Sequence, residues 1–459
     1  MPASTGNPPM AWCPTRLGRL GSQSISSRAF RLWTKMTDQN RPKPIRLAQP
    51  IMSGIAEKHQ SSALASCVFS LLLALAPAAA AADASAAPVA NLTDGCIEQY
   101  DPTLDYFPEK ATLTYADGFS LAYFKHYKLV TVHTPWPDAK ETFRYLLVQC
   151  GAPTPEGFGD AQVIQVPIRS FVALSSTHLP HLDVLGALDR LTAVSSFKTI
   201  YAPAVREMVA AGKIAEVGRG ANINLEVILD LSPDVVMAVG HDQPQYNSHP
   251  LLQHAGIHVA INSEYVESTL LGRSEWLKFT AAFLNEDGLS QRLFADMVER
   301  YQHYAALVRD IPADRRPGVF GGSLLRDTWY VPGGDSYIAR LIADAGGVYR
   351  WAEDTHRASI PLSLEAVLER AGDAEVWFTS GLDWFSRADL LAANEHYGAF
   401  RAFREGRVYN NNARLNEHKA NDYWQMGLIE PDVQLADVIK ILHPDKLPEH
   451  RLKYYRRLP

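Results

Sequence analysis

The sequence predicts an α/β protein in which two parallel sheets lie in separate lobes. Three observations lead to this prediction. From about residue 163, short apolar runs alternate with amphipathic helical stretches, which is the pattern of a parallel sheet covered by helices. A helical stretch at 274–309 interrupts the alternation, which then restarts. One short segment also occurs twice, once on each side of that stretch.

The first series of strands is short and apolar, and helical stretches separate most of its members. Helices are predicted to begin at Leu182, Pro203 and Pro250. The strands are predicted at Val172–Ser175, Leu191–Val194, Val235–Val239 and Val259–Ile261.

Residues 274–309 are predicted to form helices with few breaks. Asp287 can cap the start of the longest one, and Pro312 ends the stretch. A helix of about 20 residues is about 30 Å long, which is more than a crossover inside a small lobe requires. Apolar side chains recur at spacings of three and four, at Leu289, Leu293, Met297, Tyr301, Tyr304 and Val308.

The alternation restarts with strands at Val319–Gly321, Glu375–Thr379 and Val408–Asn410, and a final helix is predicted at Asp422–Leu442. We therefore predict two Rossmann-like lobes that are joined by a single long bridging α-helix, with a ligand cleft between the lobes. The predicted parts are a leader or misassigned start (1–51), a signal peptide (52–86), a small β-rich extension (96–165), an N-terminal lobe (166–273), a helical region (274–312) and a C-terminal lobe (313–459).

The N-terminal region predicts export. The first 51 residues are basic and lack an apolar period, and Met52 is the more natural first residue. An apolar core at Ala63–Ala76 and a following run of small residues are typical of a secretory signal peptide, with cleavage between Ala80 and Ala87. Leu64–Cys67 resembles a lipoprotein box, but it opens the apolar core instead of following it. We therefore expect a periplasmic protein without a lipid anchor.

The β-rich extension is predicted to cap the first lobe. Its strands are expected at Ala111–Thr114, Leu129–Val132 and Tyr145–Gln149. The mature chain keeps only Cys96 and Cys150, and an oxidising compartment favours a disulfide between them. Two unpaired thiols are the alternative.

Composition and missing motifs exclude several functions. The formal net charge of -6 gives no basic surface for nucleic acid. The chain has no Walker A, His-Glu-x-x-His, Gly-x-Ser-x-Gly or Cys-x-x-Cys motif. These absences favour a binding function over catalysis.

The repeated segment has one copy in each predicted lobe. Asn224 and Ser363 are good N-caps for a helix. They place Glu226 and Glu365 at the second helical position, where the helix dipole favours a carboxylate by about 0.3–1 kcal/mol. A favourable interaction with the helix dipole would be enough to explain either glutamate taken alone. Their pairing across two lobes predicts instead a docking surface for a dimeric partner bearing Arg, which binds carboxylates in a bidentate fork.

The repeat also carries a family resemblance. The pattern from Asn224-Leu225-Glu226 to Leu231-Ser232-Pro233-Asp234-Val235-Val236, its second copy, the preceding Glu216-Val217-Gly218 and the long helix resemble the periplasmic binding proteins for vitamin B12 and ferric siderophores. The resemblance covers about 170–443. It implies a monomer without a cofactor or enzymatic activity. Such a protein passes an iron chelate (siderophore or haem) or a corrinoid to an ABC permease dimer with its ATPase. By position, Glu226 and Glu365 match the family's two permease-docking glutamates.

Candidate ligand-binding residues lie in the loops that follow the predicted strands, because ligands of open α/β sheets bind at the carboxyl ends of strands. Large flat side chains suit a macrocycle or an aromatic chelate, and glycine permits close backbone approach. Core or interface packing is the alternative for the aromatic residues. The predicted ligand-binding residues are Ser176, His178, Tyr201, His241, Trp329, Tyr330, Gly333 and Trp384.

The histidines do not predict a metal site. His254 and His258 are four residues apart, but Gly256 breaks the helix that would place them on one face. Axial ligation of a bound haem or corrinoid by His178 or His241 remains an alternative. Two other functions also stay open. One is a secreted, two-lobed chelatase-like α/β enzyme acting on a tetrapyrrole, and the other is a surface sensor that binds ligand without transport.

Overall fold

A small four-stranded sheet comes first in the computed structural model, which describes residues 88–459. The predicted leader (1–51) and signal peptide (52–86) lie outside the described residues. The first three strands are antiparallel, and the fourth runs parallel to the third. The strands are β1 (Phe119–Tyr123), β2 (Tyr127–Val132), β3 (Phe143–Gln149) and β4 (Gln162–Val166).

The first parallel sheet and its helices form what we call the first lobe. All five strands are parallel, and their spatial order by position in the sequence is third, second, first, fourth and fifth, as in a Rossmann sheet without its sixth strand. The strands are β5 (Phe171–Ala173), β6 (Leu191–Val194), β7 (Ala215–Glu216), β8 (Val235–Ala238) and β9 (Val259–Ile261). The helices are α1 (Leu179–Val184), α2 (Pro203–Ala210), α3 (Leu225–Leu231) and α4 (His249–His254).

Three consecutive helices then carry the chain from the first sheet to the second. They are α5 (Leu270–Glu275), α6 (Leu277–Leu284) and α7 (Asp287–Ala306). The predicted apolar stripe is the packed face of α7: Met297 and Tyr301 are buried, whereas Glu299 and Gln302 on the opposite side are exposed. The 20-residue length of α7 agrees with the prediction.

The second lobe contains another five-stranded sheet and a smaller antiparallel one. Their strands are β10 (Gly318–Gly321), β11 (Ser323–Leu325), β12 (Thr328–Pro332), β13 (Val348–Tyr349), β14 (Ser359–Leu362), β15 (Val376–Thr379), β16 (Val408–Asn410) and β17 (Arg456–Arg457). The larger sheet has the order β13-β10-β15-β16-β17, with only β17 antiparallel. The smaller sheet, β11-β12-β14, was not predicted. The helices are α8 (Tyr337–Asp344), α9 (Leu364–Ala371), α10 (Arg387–Ala393), α11 (Arg401–Arg404) and α12 (Pro431–Leu442), and α12 packs along α7.

The predicted α/β class is confirmed, but three local predictions are wrong. Residues 111–114 form no strand, because the amides of this region bind a buried carboxylate instead of a neighbouring strand. The last helix begins at Pro431, since proline suits the first turn of a helix, and 422–429 form short 3-10 turns. Asp287 does not cap α7, because its carboxylate points into the protein.

Buried charges attach the extension to the helices between the sheets. The Asp287 carboxylate accepts hydrogen bonds from Lys128 Nζ at 2.9 Å, Tyr123 Oη at 2.7 Å and Asn91 Nδ2 at 3.1 Å. Lys128 and Asp287 are both fully buried. Burial lowers the pKa of Lys128, and the Asp287 charge opposes that shift. The ammonium also binds the carbonyl of Ala282 and the side chain of Asn285.

The extension also covers an edge of the first sheet and carries a disulfide. The side-chain amide of Gln162 binds both the N–H and the carbonyl of Val259 at 2.9 Å, and the Tyr145 hydroxyl accepts from Ile261 N. These side chains occupy the free edge of β9, where an unpaired strand would otherwise attract other chains. Cys96 and Cys150 are joined in a disulfide, with their Cα atoms 4.7 Å apart.

The Lys128–Asp287 pair provides the first prediction. Lys128→Met leaves the Asp287 carboxylate buried without its cation, so we expect a loss of about 3–5 kcal/mol in the free energy of unfolding, measured in urea. Arg292→Ala is the control, because it removes the exposed ion pair with Glu109, which is worth about 1 kcal/mol or less. Equal losses in the two variants would show that the buried pair does not anchor the extension.

Candidate functional site

Each parallel sheet has a switch point, where the connections from two neighbouring strands leave in opposite directions. Open α/β sheets bind ligands beyond the carboxyl ends of these strands. In the first lobe the switch point lies between β5 and β8, whose ends lead to Ser176 and His241. In the second lobe it lies between β10 and β15, which lead to Gly322 and to the loop 380–386. These four loops, together with the segments that follow β6 and β16 at the same carboxyl edges, define the candidate ligand cleft.

Tyr201 and Arg414 bring the two lobes together at this cleft. Tyr201 is half-buried at the start of α2, and the Arg414 guanidinium lies over its ring, 5.3 Å from the ring centroid. Arg414 Nε donates to the buried carboxylate of Asp422 at 2.6 Å, which fixes the guanidinium. The pair therefore presents an aromatic ring and a cation from opposite lobes side by side.

Two buried asparagines hold the second-lobe loop that carries Trp384. Asn410 and Asn412 each donate from Nδ2 to the carbonyl oxygens of Gly381 and Trp384, at 2.6–3.1 Å. The Gly381 backbone approaches the half-buried Trp384 ring so closely that a Cβ there would lie 2.4 Å from it. The loop is thus fixed by the end of β16.

Phe385 and Arg456 extend the same surface. The Phe385 ring is 43% exposed, and the Arg456 guanidinium lies over it at 5.4 Å. Arg456 Nη2 makes one long bond of 3.4 Å to the Ala413 carbonyl, and its Nε has no hydrogen-bond partner within residues 88–459. This Nε is enclosed by the protein, so only the terminal nitrogens of the guanidinium could contact a ligand. Neither Arg414 nor Arg456 was predicted from the sequence: Arg414 lies four residues beyond the end of the predicted strand at Val408–Asn410, and Arg456 lies in β17, a strand that was not predicted.

Trp329 is a core residue and does not line the cleft. Its ring is fully buried on β12, among the rings of Phe320, Trp377 and Phe400. Its Nε1 donates to the Gly321 carbonyl at 3.1 Å. The predicted ligand contact is therefore corrected: large aromatic side chains near a strand end serve core packing equally well.

Tyr330 belongs to the small antiparallel sheet, and Gly333 directly follows its strand β12. A Cβ on Gly333 would lie 2.0 Å from the His356 carbonyl oxygen and 2.6 Å from that of Ala358. Close packing of the protein's own backbone therefore requires this glycine, which corrects its predicted role in approaching a ligand. Tyr330 is half-buried on β12, opposite Ser323, and its ligand contact stays a prediction.

The predicted histidines differ in accessibility. His178 is fully buried, and burial, with a smaller contribution from His181, lowers its pKa to about 3. It is a neutral core side chain that offers no surface to the cleft, so its predicted ligand contact is also corrected. His241 is half-buried at the end of β8, between the rings of Tyr246 and Tyr265, and burial lowers its pKa. His241 and Ser176 remain predicted cleft residues.

The two repeated helix starts have the same geometry. The side chains of Asn224 and Ser363 accept hydrogen bonds from Val227 N and Ala366 N, both at 3.2 Å. Exposed carboxylates follow two residues later in α3 and α9, at Glu226 and Glu365. The pKa of Glu365 is lowered by a hydrogen bond from its own backbone amide and, to a smaller extent, by a hydrogen bond from Ser363 and the charge of His396.

The positions of these two carboxylates follow from the topology. Each helix leads into a parallel strand of its sheet, α3 into β8 and α9 into β15. A crossover helix runs opposite to its strands, so its start lies at their carboxyl edge. Glu226 and Glu365 therefore lie at the same edge of each sheet as the candidate cleft.

Two further properties concern residues 88–459 as a whole. No group of three or more His, Cys, Asp or Glu side chains in this range is arranged to hold a metal ion. No helix within these residues is both long and apolar enough to cross a membrane.

Comparison with known sequences identifies relatives of similar length. An uncharacterized lipoprotein of Methanocaldococcus jannaschii is 28% identical over 329 residues, which are 68% of this chain and 75% of the relative. A second uncharacterized lipoprotein of that organism is 26% identical over 327 residues, 69% of this chain and 80% of the relative.

Solved structures with a similar fold have lower identity. A periplasmic heme binding protein from Pseudomonas aeruginosa is 20% identical, with a TM-score of 0.46 over 60% of this chain and 93% of that one. The periplasmic vitamin B12 binding protein of Vibrio cholerae is 19% identical, with a TM-score of 0.43 over 61% and 99%.

The family itself is established by a sequence profile. The profile described as "Periplasmic binding protein" matches residues 172–415, which is more than half of the 459 residues. The match spans both parallel sheets except for the two-residue strand β17 and the first residue of β5. This chain therefore belongs to the periplasmic binding protein family.

Proposed function

We propose that the protein captures an iron chelate or a corrinoid outside the cytoplasm and delivers it to an ABC permease dimer with its ATPase, without catalysing a reaction. The observation that carries this proposal is the matched pair of Glu226 and Glu365. Both carboxylates are exposed, both occupy the second position of a capped helix, and each lies at the carboxyl edge of its own sheet. A dimeric permease presents two equivalent surfaces, and two carboxylates in equivalent settings match them.

The helix α7 has a role in this proposal. It is the longest helix of residues 88–459, and its packed face contacts α6 on one side and α12 on the other. We propose that it acts as the bridge between the lobes and restricts hinge motion, so that ligand binding changes the lobe arrangement only slightly. The protein would then work as a monomer.

The ligand class is supported by the side chains at the cleft. Tyr201, Trp384 and Phe385 offer flat apolar faces, and the cations of Arg414 and Arg456 lie over the rings of Tyr201 and Phe385. Arginine recognises carboxylates through paired hydrogen bonds. A flat or aromatic chelate with peripheral anionic groups therefore suits this cleft better than a ligand without charge.

Export is supported by the Cys96–Cys150 disulfide, which is typical of an oxidising compartment. The two archaeal relatives are named lipoproteins. In this chain, however, Cys67 opens the apolar core of the predicted signal peptide. We propose a free periplasmic protein and expect the mass of the exported chain to match cleavage between Ala80 and Ala87. A chain that begins at a lipid-modified Cys67 would contradict the proposal.

The docking role is tested by charge reversal. The double variant Glu226→Arg/Glu365→Arg should reduce uptake to background, because it places cations opposite the permease's expected arginines. Ligand affinity should change less than about threefold, since neither side chain lies among the cleft residues, and it is measured by titration of the purified protein. The matched control is Glu207→Arg/Glu299→Arg, which makes the same charge change at exposed positions of α2 and α7. Full uptake by the first variant would exclude the docking role.

The ligand class is tested at Arg456. Titration with haemin, cobalamin and a ferric chelate should show which ligand binds, and Arg456→Gln should weaken that binding about 10- to 100-fold. This range corresponds to one charge-assisted hydrogen bond of about 1.5–3 kcal/mol. Arg451→Gln is the control, because Arg451 is exposed and lies outside the cleft. Equal affinity of both variants would argue against an anionic ligand at this site.

A further inference from the structure

The two lobes are also connected by a segment that ordinary α/β topology does not require. Residues 413–430, which we call the strap, run from the end of β16 to the start of α12. They contain only 3-10 turns and one isolated bridge between Leu415 and Asn421. The strap leaves the carboxyl edge of the second sheet and reaches the first lobe at residues 199–206.

Gln425 makes the central contact between the strap and the first lobe. Its Oε1 accepts hydrogen bonds from Tyr201 N at 3.0 Å and from Ala202 N at 3.2 Å, and its Nε2 donates to the Thr199 carbonyl at 2.8 Å. The side chain is 1% exposed. A buried amide can bind these three backbone groups of the opposite lobe only while the two lobes keep this relative position.

Asn416 adds a fourth bond to the same stretch of backbone. Its Nδ2 donates to the Ile200 carbonyl at 2.8 Å. Its Oδ1 accepts from His418 N and Ala420 N at 3.0 Å, which fixes the side chain within the strap. Four consecutive residues, 199–202, are therefore held by two side chains of the other lobe.

These bonds act on a segment that has few internal partners. Residues 199–202 connect a 3-10 turn to α2, which begins with Pro203. The amides of Tyr201 and Ala202 precede the first turn of α2, and the acceptor for both is Gln425. An unpaired buried amide costs about as much as a lost hydrogen bond. Separation of the lobes thus leaves these groups without their protein partner.

The position of these contacts relates them to the cleft. Tyr201 is one of the four residues that Gln425 and Asn416 bind, and Arg414, whose guanidinium lies over the Tyr201 ring, belongs to the strap. An ion pair between Arg206 and Glu417 joins the same two segments near the surface. The relative position of the aromatic ring and the cation therefore depends on the strap.

We propose that Gln425 and Asn416 form an interlobe latch, which fixes the opening of the cleft by holding residues 199–202 against the strap. The latch makes Gln425 a positioning residue for Tyr201. Its relevance to ligand binding rests on the proposed function, but the latch itself does not, because it can be measured in protein that carries no ligand.

The lobe distance tests the latch directly. Spin labels on the double variant Lys198→Cys/His418→Cys, at exposed positions on either side of the contact, report the distance between the first lobe and the strap. We expect a narrow distance distribution, which becomes broader and longer after Gln425→Met. The control is Gln162→Met, which also removes hydrogen bonds from a side-chain amide to the backbone, but at Val259 within the first lobe. The same distribution in the Gln425 and Gln162 variants would overturn the latch.

Hydrogen exchange of single amides gives an independent readout. Gln425→Met should accelerate exchange of the Tyr201 and Ala202 amides about tenfold, because both lose their acceptor. Gln162→Met should accelerate exchange at Val259 and leave Tyr201 unchanged. Unaltered exchange at Tyr201 and Ala202 in folded Gln425→Met would contradict the latch, whatever the outcome of any uptake measurement.

Discussion

The architecture depends on buried carboxylates that are satisfied by hydrogen bonds from distant parts of the chain. Glu275 accepts hydrogen bonds from the backbone amides of residues 114–116 and from Lys278 Nζ. Asp287, at the start of α7, binds Lys128, Tyr123 and Asn91. A charge without such partners costs several kcal/mol to bury. These bonds therefore connect the helices between the two sheets to the extension.

Glu267 shows the same constraint without a cation. Its carboxylate accepts from Trp276 Nε1 at 2.8 Å and from Gly118 N at 2.9 Å. Burial raises the pKa of Glu267, and these hydrogen bonds oppose the shift. The extension is thus a structural partner of the helical region, since the amides of 114–118 bind carboxylates of the segment that links the lobes. Such an arrangement is consistent with a bridge that must not bend.

The cleft depends on this frame and on the strap. The extension and α7 connect the two lobes at one place, and Gln425 connects them at another. Between them, Tyr201 comes from the first lobe, and Arg414 and Phe385 from the second. A candidate site of this kind has no local sequence pattern, because Tyr201 precedes Phe385 and Arg414 by more than 180 residues.

The sequence alone determined the features that arise from local chemistry. The alternation of strands and helices, the stripe on α7 and the capped helix starts before Glu226 and Glu365 all follow from periodicity and capping, which act within a few residues. The tertiary structure decided which side chains are accessible. Trp329 and His178 satisfy the sequence criteria for a ligand contact, yet both are fully buried. Arg456 lies in a two-residue strand, and only its pairing with β16 brings it to Phe385. Burial and pairing between distant segments depend on the whole fold, and no short segment of sequence specifies them.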